Sequence, residues 1–384
     1  MQIVQSDRER PSVAKAKRKT LPKDFEKLLT AGDIEALKSV FDSCDLNARG
    51  GLFKQTALAF DECPDELTRW LVGQGADLLA GDRYGETPLH ARAGHWKGSV
   101  DLLIELGADV NHDADGRGTP LHRAAAVGNL GAAQALLDHG ARAYATNKDG
   151  HCPLTLALQS CSNATIERMA PMAELLLTAM QTMPEEPKSF IRRVFGGGAK
   201  PVSPVTPEMQ DLVQRIGANF EFHRSGYNPE SVDATSDALD RLYALFNVPA
   251  VPRRAMHDGK SPIVAKAKRW EDQHQELWAL LVPSSGSAAT VQGEVIRISG
   301  RVQIEIEENG GVNWDGDYRK MVDAFLDHLG AGQPLPAPEL DAARQIAAEV
   351  KDGHGDTAAM CRLAVDWIAR NPKPIPLSPP SYRR

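Results

Sequence analysis

Thr87-Pro88-Leu89-His90 recurs 32 residues later as Thr119-Pro120-Leu121-His122. A degraded copy, Cys152-Pro153-Leu154-Thr155, follows after another 33 residues, and Thr56-Ala57-Leu58 precedes Thr87 by 31. A second marker keeps step with the first. Gly75-Ala76-Asp77, Gly107-Ala108-Asp109-Val110-Asn111 and Gly140-Ala141-Arg142 each begin 12 residues before the next Thr or Cys. Two independent motifs in one fixed phase mark a tandem repeat.

The residue types say what each unit is. Pro tolerates the first turn of a helix, where its missing N–H is not needed, and the Thr before it can cap by accepting a backbone hydrogen bond. Leu102, Leu103 and Leu106, then Leu136 and Leu137, supply the apolar face of a second helix. Gly107 and Gly140 suit a left-handed helix C-cap, and Gly85 and Gly116 sit where a connecting hairpin turns. This unit resembles the ankyrin repeat. The resemblance implies that His90 and His122 hydrogen-bond backbone between neighbouring repeats, a structural role. It also implies a partner surface made of hairpin tips and a groove formed by the first helices.

Unit lengths vary. Thr119 to Gly140 spans 21 residues, Thr87 to Gly107 spans 20 and Thr56 to Gly75 spans 19. Residues 24–47 read as an atypical first repeat, with Leu28, Leu29, Ile34, Leu37, Val40 and Phe41 as its apolar face. The fifth repeat is expanded by about seven residues before Leu175-Leu176-Leu177. Five repeats, the outer two acting as caps, suffice to bury a continuous core.

The pattern stops near residue 183. Residues 184–207 hold five prolines and Gly196-Gly197-Gly198, the composition of a linker. The stretch at Gly196 lacks the spacing of a phosphate loop. The second half reads as helical at 231–246, 270–281, 290–308, 314–329, 340–350 and 357–368, with 296–306 the one stretch that also fits a β-hairpin. It resembles, only loosely, uncharacterised helical domains of bacterial proteins, and no residue role follows from that. The expected fold class is all-α: an ankyrin-repeat α-solenoid with short hairpin tips, then a mainly helical C-terminal domain. The expected organisation is a disordered basic N-terminus over 1–19, the repeat domain over 20–183, the linker over 184–207, a helical domain over 208–370, and a disordered Pro-rich tail over 371–384.

The chain has 384 residues with 42% hydrophobic and 25% charged, ordinary for a globular protein. No run approaches the roughly 20 apolar residues of a membrane span, and residues 1–20 lack the apolar core of a Sec signal. Five cysteines without close pairing point to a reducing compartment, so a cytoplasmic location is expected, with secretion by a route other than Sec as the alternative. The Ala-, Gly- and Arg-rich composition is compatible with a bacterial source. Net charge is −7, which disfavours a dedicated nucleic-acid binder. By region it is +4 over 1–19, −8 over 20–183 and −3 over 184–384. The acidic array would steer toward a partner with a basic surface. The hexamer Val13-Ala14-Lys15-Ala16-Lys17-Arg18 recurs as Val264-Ala265-Lys266-Ala267-Lys268-Arg269 and reads as solvated basic surface.

No metalloprotease, Cys-x-x-Cys, dinucleotide or nucleophile-elbow motif is present, so no catalytic residue, cofactor site or metal site is assigned. His257-Asp258-Gly259 reads as a turn, Thr290 to Glu294 as a helix cap with Gln292, Glu294 and Arg297 as a conceivable cleft, and Asn313 to Tyr318 as a cap beside a core Trp rather than half a calcium loop.

The expected function is therefore protein binding. Tip candidates are Asp82, Arg83 and Tyr84; Asp115 and Arg117; and Tyr144, Asn147 and Lys148. The first-helix and groove side adds Arg92, His95, Trp96, Arg123 and Asn129. Tyr, Trp and Arg are the types that dominate interface energetics. The roles that fit are a bacterial adaptor, a regulator or a toxin-neutralising protein. The rival reading is a secreted effector or an enzyme, with the array recruiting a target for a catalytic second half. A homodimer through the Trp-rich second half is the third reading.

Overall fold

The computed structural model describes residues 16–182 and 203–383. It is mainly helical and divides into two compact units. The first takes in Met1–Gly217 and Asp233–Ala250, the second Ala218–Val232 and Val251–Arg384.

In the first unit the helices start where the repeat motif places them. Pro88–Ala93, Pro120–Val127 and Pro153–Ser160 are the first helices of their repeats, and Asp101–Glu105, Leu130–Asp138 and Ile166–Thr182 the second. At both intact motifs the histidine completes the cap. His90 Nδ1 lies 2.8 Å from the Thr87 hydroxyl and 3.3 Å from its N–H, and His122 repeats this at 3.0 Å from each group of Thr119. The other ring nitrogen reaches the next repeat: His90 Nε2 is 3.1 Å from the Gly118 carbonyl, and His122 Nε2 is 3.1 Å from that of His151. An Nδ1 that accepts from a backbone N–H must be unprotonated, so the neutral tautomer with its proton on Nε2 satisfies both ends. The inter-repeat role expected for these histidines is what the geometry shows. Asn111 makes a parallel rung, donating to the Gly140 carbonyl and accepting from the Arg142 N–H, both at 2.9 Å.

The atypical first repeat is the helix pair Phe25–Ala31 and Ile34–Ser43. Asp33 caps the second of these by accepting from the Ala36 N–H. Phe25, Leu37, Phe41, Leu58, Leu67 and Leu71 form the core here. A small sheet accompanies it: Arg18–Thr20 pairs in parallel with Cys44–Gly50, which pairs antiparallel with Gln55–Thr56. Of the N-terminal segment expected to be disordered, residues 1–15 lie outside the described residues, and Arg18–Thr20 is instead a strand held by backbone pairing. The expected linker lies outside the described residues over 184–202.

The expanded fifth repeat turns through Asn163–Thr165 into a 17-residue helix. Its outer face is covered within the same unit. Thr235 donates to Glu167 at 2.6 Å, and Gln210 donates to the Phe246 carbonyl at 2.9 Å. Met209, Val213, Leu239, Leu242 and Phe246 are buried. An open repeat end must shield its apolar face, which explains why residues 207–217 and 233–250 group with the array rather than with a separate domain starting at 208.

The second unit is built round the helix Val291–Gln303, whose residues are almost all buried. It continues as a wider π-type turn over Ile304–Glu308, so the β-hairpin alternative for this stretch does not occur. Trp270–Leu281, Gly316–Leu329, Ala337–Lys351 and Thr357–Arg370 surround it, close to the expected spans. Val295, Ile298, Val302, Met321, Phe325, Leu329, Val350 and Trp367 form the core.

The tail expected to be disordered is packed in place. Buried Gln292 donates to the carbonyls of Asn371 and Lys373 at 2.8 Å and accepts from the Ile375 N–H at 3.1 Å. The Tyr382 hydroxyl donates to Glu294 at 2.6 Å. A buried amide and carboxylate must find partners, and this extended segment supplies them.

Candidate protein-binding surface

The hairpin tips are shaped by one acidic or amide side chain each. Asp82 accepts from the Tyr84 and Glu86 N–H groups, Asp113 from those of Gly116 and Gly118, and Asn147 from those of Asp149 and His151. These are side-chain turns that substitute for backbone ones. Asp82 and Asn147 thus have structural work at the positions where the sequence reading put partner contacts. The tips are also tied together, since the Lys148 N–H donates to the Gly116 carbonyl at 2.7 Å. Gly85 turns the first of these tips at φ +80°, a conformation that L side chains rarely adopt and glycine takes without strain.

On that frame the structure brings three expected residues together. The Arg83 guanidinium lies 4.6 Å from the Tyr84 ring centroid and that of Arg117 lies 4.7 Å from it. Arg83 also donates to the Tyr84 hydroxyl at 2.5 Å and stands 5.7 Å from the Phe53 ring. Two stacked guanidiniums hold a half-buried tyrosine in one orientation, which lowers the entropy lost on binding. Lys148 is exposed on the neighbouring tip.

Sequence reasoning missed the apolar part of this cluster. Leu52 is 75% and Phe53 46% exposed, in the turn just before Gln55–Thr56. The available signal was Gly50-Gly51-Leu52-Phe53, two large apolar residues placed in a glycine turn where no core can claim them.

A second cluster lies at the far end of the helix Pro88–Ala93, in the turn to Asp101–Glu105. Trp96 is 50% exposed, with the Lys97 ammonium 4.3 Å and the Arg168 guanidinium 5.3 Å from its rings. His95 pairs with Asp61 at 2.7 Å. Burial pushes the Asp61 carboxyl up, against the pull of His95 and Arg92.

Other expected contacts are corrected. Arg92 is 4% exposed and donates to the Leu58 carbonyl at 2.9 Å and the Thr68 hydroxyl at 3.2 Å, so it ties its repeat to the preceding one and does not face a partner. Asn129 is buried too. It caps Leu130–Asp138 by accepting from the Ala132 N–H and donates to the carbonyls of His95 and Gly98. Tyr144 is half-buried, its hydroxyl donating to the Met180 carbonyl at 2.6 Å. Arg123 sits half-buried, 3.4 Å from Glu86, whose carboxyl is pushed up by burial.

The remaining motifs have local structural roles. Asp258 accepts from Lys260 and Ser261 N–H groups and the Ser261 hydroxyl, which hold its carboxyl low in a simple turn. Asp315 caps Gly316–Leu329, and Trp314 stacks on Tyr318. Of the two basic hexamers, the first lies partly outside the described residues, and in the second the N–H groups of Lys266 and Ala267 donate to Glu276. Among the described residues no group of His, Cys, Asp and Glu side chains is placed to hold a metal, and no helix is long and apolar enough to cross a membrane.

Residues 55–147 and 91–178 match a family described as ankyrin repeats (3 copies). The chain is 38% identical to mouse ankyrin repeat and SOCS box protein 16 over 99 residues, 23% of this chain and 22% of that protein. It is 26% identical to ankyrin repeat protein nuc-2 of Neurospora crassa over 287 residues, 71% of this chain and 25% of that one. It is 43% identical to a probable E3 ubiquitin-protein ligase, XBOS34, of rice over 93 residues, 23% of this chain and 18% of that one. The chain thus spans no more than 25% of the length of any of these relatives.

Proposed function

Residues 55–178 are ankyrin repeats, and from that premise we propose that the chain is an adaptor or regulator that binds a protein partner through its hairpin tips. The observation that carries this reading is the stacked triplet Arg83–Tyr84–Arg117 beside exposed Leu52 and Phe53. It combines an oriented aromatic, two guanidiniums and apolar area, the composition of an interface hot spot. The net charge of −8 over residues 20–183 favours a partner with a basic surface at long range. At contact range the tip guanidiniums favour a carboxylate or an aromatic edge on that partner.

The test is quantitative capture with the full chain as bait, wild type against Tyr84→Ala/Arg117→Ala and against Trp96→Ala. The reading requires one protein retained by wild type and released by the tip variant, with less retention as salt rises. Retention unchanged by the tip variant rejects the tips as the binding surface.

A further inference from the structure

The second unit contains a cavity of about 550 Å³ between the helix Trp270–Leu281, the end of Val291–Gln303 with its π-type turn, and Cys361 on Thr357–Arg370. That volume is within the range of small-molecule sites. Wide turns of this kind inside a helix recur at functional sites. Gly300 shapes one wall. A Cβ there would fall 2.5 Å from the Trp278 ring and 3.3 Å from His274 Cε1, so glycine leaves room for both side chains against the central helix. Two apolar residues at the cavity are not taken up by core packing. Trp270 is half-buried, and among the described residues its ring stacks on no other and its indole N–H has no acceptor. Ile304, which opens the π-type turn, is 41% exposed.

The polar groups are set to receive a donor. His274 lines the cavity and is 8% exposed. The Ser299 hydroxyl donates to the Ile296 carbonyl at 3.1 Å, so it accepts from the His274 Nε2–H at 2.9 Å. Burial pushes the ring down to about 4, so it stays neutral and Nδ1 is left as an acceptor. Among the described residues no group donates to Nδ1. A buried acceptor left unmet costs stability, and a ligand N–H would remove that cost. Charge points the same way. Among the described residues that line the cavity, the charged ones are Glu271 and Glu308. Glu271 pairs with Arg269 at 3.2 Å, whereas the Glu308 carboxylate has no ion pair or hydrogen bond among the described residues. Burial pushes the Cys361 thiol up to about 12, and its Sγ donates to Gln303 Oε1 at 3.4 Å, so this cysteine is wall rather than nucleophile.

We propose that this cavity binds a small organic ammonium ion. An N–H of the ligand donates to His274 Nδ1, its charge lies against the Trp270 ring and the Glu308 carboxylate, and its organic part covers Ile304. Tryptophan is the best of the aromatic partners for a cation, and the attraction grows as water is excluded. An anionic ligand would instead meet the Glu308 charge and the lone pair of His274, so the site selects against it.

Titration calorimetry on the full chain would use benzylamine and tryptamine, with benzyl alcohol and phenylacetate as uncharged and anionic counterparts. Benzyltrimethylammonium keeps the charge and has no N–H to donate. The expected result is saturable binding of at least one of the two amines, about tenfold or more tighter than the counterparts and the quaternary ion. Trp270→Ala should weaken it by about tenfold and Glu308→Gln by about threefold. Arg117→Ala, in the array, should leave it unchanged. Circular dichroism melts matching wild type show that each variant is folded. The proposal is overturned if neither amine binds, if benzyl alcohol or phenylacetate binds as tightly, if benzyltrimethylammonium binds as tightly as the amines, or if neither Trp270→Ala nor Glu308→Gln alters binding.

Discussion

Acid should loosen the repeat array at His90 before it reaches most carboxylates. Burial pushes the His90 ring down to about 4, with its Nε2 bond to the Gly118 carbonyl pulling the other way. In the unfolded chain a histidine titrates near about 6.5. The unfolded state therefore binds more protons between these values. The stabilisation is full above pH 6.5 or so and drains away as pH falls toward about 4. At about pH 5 the unfolded chain has taken up the proton and the folded one has not, so the loss is about 2 kcal/mol. The perturbation is His90→Gln, which cannot be protonated. At about pH 7.5 this variant should be less stable by about 1–3 kcal/mol, because the Gly118 carbonyl or the Thr87 N–H loses its partner. Near pH 5 that gap should narrow by about 2 kcal/mol. His122, also pushed down by burial, titrates in both proteins and cancels in the difference. Hydrogen exchange read by mass spectrometry on peptides from residues 87–125 reports the array without the second unit. A gap that is the same at both pH values refutes the reasoning, since it would mean that His90 is not held neutral.

Arg92→Met should destabilise the array by about 2–4 kcal/mol in urea unfolding, because the Leu58 carbonyl and Thr68 hydroxyl lose a buried charged donor. An unchanged midpoint would return Arg92 to the surface. Gly300→Ala should cost about 1–3 kcal/mol and shift tryptophan fluorescence, since a Cβ there falls 2.5 Å from the Trp278 ring. Tyr84→Ala should leave the melting temperature within a few degrees of wild type, as its ring stacks with the tip side chains Arg83 and Arg117, yet weaken partner binding by about 2 kcal/mol.

Helix positions were legible wherever local signals were strong. The Thr-Pro pairs mark where Pro88–Ala93 and Pro120–Val127 begin, and apolar spacing marks Val291–Gln303 and Gly316–Leu329. What escaped depends on distant partners. Nothing in residues 371–383 announces order; their order comes from Gln292 and Glu294, up to 88 residues away in sequence. The strand Arg18–Thr20 has no alternation of its own and is held by pairing with Cys44–Gly50. Arg92 resembles a groove residue by its place at the end of a six-residue helix, and only stacking of the repeats turns it onto the Leu58 carbonyl. Residue type identified Tyr84, Arg83 and Arg117, whereas Leu52 and Phe53 were hidden because apolar residues are ordinarily read as core.

In the proposed function a protein partner docks on the hairpin tips. The most direct test is site-specific photo-crosslinking in the native extract, with a photoreactive phenylalanine at Lys148 on the tips or at Gln134, exposed on the helix Leu130–Asp138. Docking on the tips predicts a single protein adduct from position 148, lost when Tyr84→Ala is added, and none from position 134. An adduct from position 134 alone, or one from position 148 that survives Tyr84→Ala, would contradict it.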